Sequence, residues 1–327
     1  SWKRTMDYRY KSGFLSEDRN KVYQESYFDL SSTNSNVLQY VFELGKHNFD
    51  VMAGQETIIH TYQQHWGSRR DFALENDDYM WLGAGESEKD NGSGSVKNTM
   101  ISWFGKLNYN YANRYLASVT LRRDASSVFG KNNKWATFPA FSLGWSISNE
   151  AFFEKLISVM PLLKLRYGWG QNGNSSIDAY ASYQFYEAAY DGNNLYDWNW
   201  GTAYDFTGMG GSLPSGFRRT QRGNPNLKWE TTSQHNFGLD FALFNSKLSG
   251  SFDYYLKYTR DILMKPGTVA TLGEGAHMWL NGADIDNKGF ELTLNYNDKF
   301  GDLGLNISGV FSHNSQTIVK VPDDVIN

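Results

Sequence analysis

Cysteine is absent from all 327 residues. Its absence excludes a disulfide framework, thiolate-held metal and a cysteine nucleophile. It is compatible with an oxidising compartment, where a stray thiol is a liability. A basic excess is lacking too: 31 Lys and Arg face 35 Asp and Glu, for a formal charge of −4. No Lys/Arg run reaches the density that phosphate binding needs, so nucleic acid is not an expected partner. No apolar run approaches the ~18–20 residues of a spanning helix. Mean hydropathy is −0.57, which by helix hydropathy describes a soluble protein. A membrane β-barrel reads the same way, because its strands are apolar on one face only. The chain opens at Ser1 with no signal peptide, as expected of a mature product or of part of something longer. Prolines number only 6, whereas Tyr 21, Phe 21 and Trp 11 raise the aromatic share to 16%.

Those aromatics follow a period of two. In "LYDWNWGTAYDF", residues 195–206, the even positions hold Tyr196, Trp198, Trp200, Tyr204 and Phe206. The odd positions hold Asp197, Asn199, Gly201 and Asp205 beside Leu195 and Ala203. That is strand periodicity. Rings with an apolar body and a polar tip suit the boundary between hydrocarbon and water. The pattern recurs in "MISWFGKLNYNY", where Ile101, Trp103, Leu107, Tyr109 and Tyr111 alternate with Ser102, Lys106, Asn108 and Asn110. It recurs in "RYLASVTLRRD", "ATFPAFSLGWSIS", "HNFGLDFALF", "LSGSFDYYLKY", "GFELTLNYN" and "LGLNISGVF". There are about thirteen such segments, many near the ~10-residue length of a tilted membrane strand.

Connections alternate in kind. Short ones at 45–48, 112–113, 191–194, 245–246 and 300–302 carry Asn, Asp and Gly, which suit tight hairpins. Longer ones are expected at about 60–96, 125–134, 207–227 and 265–278. Short turns on one side and long loops on the other mark an outer-membrane barrel. "SNEAFFEKL", residues 148–156, reads as a short capped helix on the short-turn side. The polar faces carry small and charged residues, not the aliphatic ones that pack a sandwich core. The polar face is therefore expected to meet water or a polar plug, and the apolar face to point outward.

No phosphate-binding loop, serine-hydrolase elbow or zinc-protease motif appears. No catalytic, metal or cofactor site is expected. His60 and His65 read as loop histidines. "DIDNKG", residues 284–289, begins like a calcium loop, but Lys288 takes a ligand position and Asn295 stands where the bidentate Glu belongs. It reads as a bend in a strand. The acidic cluster Glu75, Asp77 and Asp78 reads as a solvated loop. Polar-face charges Lys106, Arg122, Asp124, Asp197, Asp205, Glu230 and Glu291 are candidates for lining a passage, with mutual salt bridges or solvation the plainer role. Loop rings Trp66, Trp81 and Trp279 are candidates for ligand stacking, with loop packing the commoner role.

Specific strings add to this. "LNYNYANRYLASVTLRRDASSVFGKNNKWATFPAFSLGWSISNEAFF", residues 107–153, resembles the barrel of SusC/RagA-type TonB-dependent transporters of Bacteroidetes. So do "LKLRYGWGQNGN" at 163–174, "GNPNLKWETTSQHNFGLDFALFNSKLSGSFDYYLKYTRDIL" at 223–263 and "DNKGFELTL" at 286–294. Ala125 stands where the family usually has Gly, and Val128 where a basic residue is common. The resemblance implies an all-β, transmembrane antiparallel barrel with short periplasmic turns and long extracellular loops. Roughly 13 of the family's 22 strands are expected here, so residues 1–327 would be part of one barrel domain. The plug, the TonB-contacting segment and the C-terminal strands would lie elsewhere. It further implies location in the outer membrane of a Gram-negative, Bacteroidetes-like cell and active import of glycan or peptide nutrients. Its expected partners are a SusD-like surface lipoprotein, TonB, outer-membrane lipid and the oligosaccharide or oligopeptide substrate. The competing expectation is a soluble, aromatic-rich β protein that binds or cleaves glycan. It would pack its apolar rows into a dry interior.

Overall fold

A computed structural model describes residues 2–7, 20–188, 217–267 and 278–322. The alternation of β-branched and aromatic residues with small polar ones produces strands throughout. In chain order they are β1 (Trp2–Asp7), β2 (Lys21–Leu44), β3 (His47–Arg70), β4 (Ser87–Tyr111), β5 (Tyr115–Ser126) and β6 (Trp135–Ser146). There follow β7 (Leu162–Asn174), β8 (Phe185–Ala188), β9 (Phe217–Gln221) and β10 (Glu230–Leu243). The last are β11 (Leu248–Met264), β12 (Leu280–Phe300) and β13 (Leu303–Lys320). Eleven form one sheet in the order β1-β2-β3-β4-β5-β6-β7-β10-β11-β12-β13. Neighbours run antiparallel wherever their register is defined, as in β5–β6, β7–β10 and β12–β13. Among the described residues, β8 and β9 form a separate two-stranded sheet.

Connections between sheet strands alternate as expected. Along the chain, those at 45–46, 112–114, 147–161, 244–247 and 301–302 alternate with those at 71–86, 127–134, 175–229 and 265–279. Hairpin chemistry explains the tightest. Ala112 and Asn113 both take positive φ (52° and 56°), as do Phe244, Asn245 and Ser246, and Gly45 and Gly301 sit at 62°. Such turns match the twist of the flanking strands. Neighbouring connections of the first set are also tied to one another, Ala112 N–H donating to Lys46 O and Phe244 N–H to Val159 O at 2.9 and 2.7 Å, while Asn297 N–H of β12 donates to Lys247 O at 2.7 Å.

Several expectations shift. The segment expected as a loop at 60–96 is largely strand, because β3 continues to Arg70 and β4 begins at Ser87. Backbone pairing continues where both faces meet water, whereas an apolar-polar alternation marks only what crosses a bilayer. Residues 148–156 form two short 3-10 turns, Ile147–Asn149 and Ala151–Leu156, rather than one capped helix. The residue placed to cap the second, Glu150, instead accepts from Trp145 Nε1 at 3.0 Å and pairs with Arg114 at 3.4 Å. The strand expected at 195–206, with Trp198 and Trp200, lies outside the described residues, as do Asp197 and Asp205. The short turn expected at 191–194 also lies outside the described residues; β7 pairs directly with β10. The bend expected at 284–289 is present as a register shift between Asp284 and Ile285.

The chain divides into two compact units, one of residues 1–34 and 57–100, the other of 35–56 and 101–327. The first has a small core of Val22, Phe72 and Met80, with Leu82 packed on it. Fully buried Asn20 braces it, donating to Phe72 O at 2.9 Å and accepting from Phe72 N–H at 2.6 Å. The second has its own dry cluster where Trp229 meets Phe129 at 5.1 Å and Phe138 at 5.5 Å, with Trp229 Nε1 donating to Lys134 O.

Candidate functional site

The two faces of the second unit's sheet differ in chemistry, and register fixes which residues share a face. One row runs Ala117, Leu143, Tyr167, Phe237, Tyr254, Phe290 and His313 across seven strands. The next runs Leu165, Leu239, Phe252, Leu292 and Phe311. Among the described residues these rows are not packed against a second layer: Leu143 is 53% exposed, Phe237 47% and Phe311 60%. Along β10 the outward set His235, Phe237, Leu239, Phe241 and Leu243 covers eight steps, about 26 Å of strand at ~3.3 Å each. At the ~40° tilt of a barrel strand it stands about 20 Å tall, on the scale of the ~25 Å apolar band of a membrane barrel. Both margins carry rings and charges. Arg123 lies over Trp135 and Arg260 over Tyr258 at the long-loop margin, while Tyr111 stacks on Tyr115 at the other. The greasy rows thus face outward, contrary to the soluble alternative.

The opposite face is built from charge and amide. Arg166 Nε and Nη2 donate to the two oxygens of Asp240 at 2.8 and 2.9 Å, and Nη2 also reaches Asp253 at 3.0 Å. Asn236 donates to the remaining oxygen of Asp253 at 2.9 Å. Gly238 stands opposite Arg166, and a Cβ there would come within 2.6 Å of the guanidinium carbon. Its missing side chain is the space the guanidinium uses. Nearby, Gln39 and Asn108 donate to Asp50 at 2.7 and 3.1 Å, and Ser118 donates to Asn108 at 2.8 Å. Of these, Asp50, Asn108, Ser118, Arg166 and Asn236 border, with Ser142 and Lys164, a concavity of about 540 Å³.

The expected lining residues do not form one site. Arg122 and Asp124 are brought together, Nε donating to both carboxylate oxygens at 2.8 and 3.0 Å. Arg122 also donates to buried Ser102 at 2.8 Å and lies over the Phe104 ring. Lys106 is half-buried on the same face, close enough to Asp50 to interact electrostatically. Glu230 accepts from Asn174 and from Leu263 N–H, which fixes the start of β10. Trp279 donates to Asp178 at 2.9 Å, and Lys265 both pairs with Asp178 at 3.1 Å and covers the Trp279 ring. Trp279 and Lys265 together hold the Asp178 carboxyl below its usual range, the Trp279 hydrogen bond contributing most. In the first unit Trp66 stacks on Tyr23 at 5.8 Å, and Trp81 is half exposed with Nε1 on Asp78 O. Sequence reasoning missed Asp50, Lys164, Arg166, Asp240 and Asp253. Each lies on the polar face of its own strand, but only cross-strand register shows that Arg166 meets Asp240 and Asp253.

Residues 1–326 match the family described as "TonB dependent receptor-like, beta-barrel". The chain belongs to this family. It is similar to the TonB-dependent receptor SusC of Bacteroides thetaiotaomicron, with 36% identity over 88% of this chain and 27% of that protein. It is similar to the TonB-dependent receptor P3 of Formosa agariphila at 31% identity, over 90% of this chain and 28% of that one. The fold matches the RagAB peptide importer in its "closed-closed" state with a TM-score of 0.82 and 24% identity, over 98% of this chain and 33% of that one. The chain therefore spans between about a quarter and a third of these relatives. As a TonB-dependent receptor barrel it is an outer-membrane protein. Its apolar rows are the lipid-facing surface, and its all-β sheet is part of a transmembrane antiparallel barrel.

Proposed function

We propose that the whole receptor is an active outer-membrane importer of the SusC type, taking up glycan or peptide nutrients. A SusD-like surface lipoprotein lids it from outside, and TonB energises it. Residues 1–327 are part of one barrel domain. Further strands of the receptor take up the edges at β13 and at β2 beyond its pairing with β1, since unpaired backbone is costly in lipid. The short connections face the periplasm and the long ones the exterior. The receptor makes and breaks no covalent bond. Charged side chains gathered on one face, Arg166 with Asp240 and Asp253 and Arg122 with Asp124 among them, with an exposed apolar band on the other, carry this reading. Such a wall encloses water and solute while its back touches lipid. The expected lining residues Lys106, Arg122, Asp124 and Glu230 serve it as wall supports.

The test is uptake of labelled oligosaccharides and oligopeptides by cells with and without the receptor. Loss of uptake of one class on deletion, and again on collapse of the proton gradient, is expected. Uptake that survives collapse of the gradient would mean a passive channel. Detergent should be required to extract the receptor, and a surface lipoprotein should co-purify with it.

A further inference from the structure

On β10–β13 the polar face carries a second concavity, of about 610 Å³. It differs from the Arg166 network in one respect. The side chains of Gln234, Tyr255, Lys257, Asn287, Glu291 and Asn314 have no hydrogen-bond or ion-pair partner among the described residues. Register places them as a grid: Gln234, Lys257 and Asn287 in one row; Asn236, Tyr255, Gly289 and Asn314 in the next; Asp253 and Glu291 in the third. Tyr255 occupies the middle. Its ring does not stand up from the sheet but lies across Gly289, where a Cβ would fall 2.6 Å from the phenol oxygen and 2.8 Å from the adjacent ring carbon. Gly289 and Glu291 belong to the "DNKGFELTL" string, so the glycine of that string is the floor under a flat ring.

We propose that this wall is a saccharide subsite, with Tyr255 as the platform for one pyranose ring and the surrounding amides as its hydroxyl readers. The assignment rests on the importer reading and narrows its substrate to a glycan. A pyranose has an apolar C–H face that packs on a flat ring, and a rim of hydroxyls that both donate and accept. Amide side chains present both functions and suit that rim. Unbonded polar groups around an aromatic surface are the common make-up of a ligand site. The charge balance fits a neutral ligand. Lys257 offsets Glu291, while Asp253 is already engaged by Arg166 and Asn236. An extended peptide instead needs a line of backbone partners, which a sheet face does not offer.

Calorimetry on the purified whole receptor tests this, with maltohexaose, cellohexaose, xylohexaose, mannohexaose and hexa-alanine as probes. At least one saccharide should bind. Tyr255→Ala should weaken it tenfold or more, and Tyr255→Phe by less than threefold. Gln234→Ala and Asn287→Ala should each weaken it several-fold, and they carry the test if Tyr255→Ala fails to fold. Undiminished saccharide binding by these variants overturns the subsite. So does binding of hexa-alanine alone, or of no probe. A cysteine at Asn287 that maleimide cannot reach would show this wall covered by another segment, and would overturn the subsite equally. Gradient-dependent uptake is measured separately. A receptor that still imports while Tyr255→Ala binds like wild type loses only the subsite.

Discussion

Arg166 holds two carboxylates, and at about one-third exposure its pairs are partly screened. Replacing it with Met strands Asp240 and Asp253 beside each other. The expected loss is about 1–3 kcal/mol, below the figure for a fully buried pair because water reaches this one. Equilibrium unfolding in detergent should show it, and most should return when Asp240→Asn and Asp253→Asn are added. Gly238→Ala should mimic part of the defect by displacing the guanidinium. At Asp178 the prediction is one of pH. Its pKa is depressed in the folded state, so the stability it contributes is present above the ordinary Asp value of ~3.9. That stability is lost as pH falls through the lower folded value. Wild type should therefore melt above Asp178→Asn by a constant margin from pH 8 down to about 5. The margin should close only in stronger acid.

At the level of the strand, the outward rows decide what substitution costs. Leu239 sits mid-band between Phe237 and Phe241, and Leu239→Arg should impair insertion by roughly 2–4 kcal/mol. Leu121 lies one outward step from Arg123, at the margin, so Leu121→Arg should cost only about 0–1 kcal/mol. Thr120→Arg, on the polar face, should be tolerated. Folding yields into lipid vesicles compare the three, and equal tolerance at Leu239 and Thr120 would refute the assignment of faces. The turns obey equally local rules. Ala112-Asn113 adopts two positive φ values without glycine, and Asn110 and Asn113 exchange hydrogen bonds that hold it.

For the whole molecule the testable property is orientation. With no cysteine in the chain, single cysteines at Asn132 and Asn245 report cleanly on the two ends. A membrane-impermeant maleimide applied to intact cells should label Asn132 and spare Asn245; the reverse would invert the topology. What the sequence by itself determined is the class of strand, the sidedness of each strand and the alternation of short and long connections. Those follow from chemistry within a dozen consecutive residues: a period of two, rings with polar tips, and Asn or Gly where φ must be positive. It could not determine where β3 stops and β4 starts, because a ladder between two wetted faces leaves no hydrophobic period. Nor could it show that β7 pairs with β10, or that Arg166 meets Asp240 and Asp253. Those depend on register between segments some seventy to ninety residues apart, as the Arg166 contacts are. Many registers are compatible with alternation alone, and only the assembled sheet selects among them.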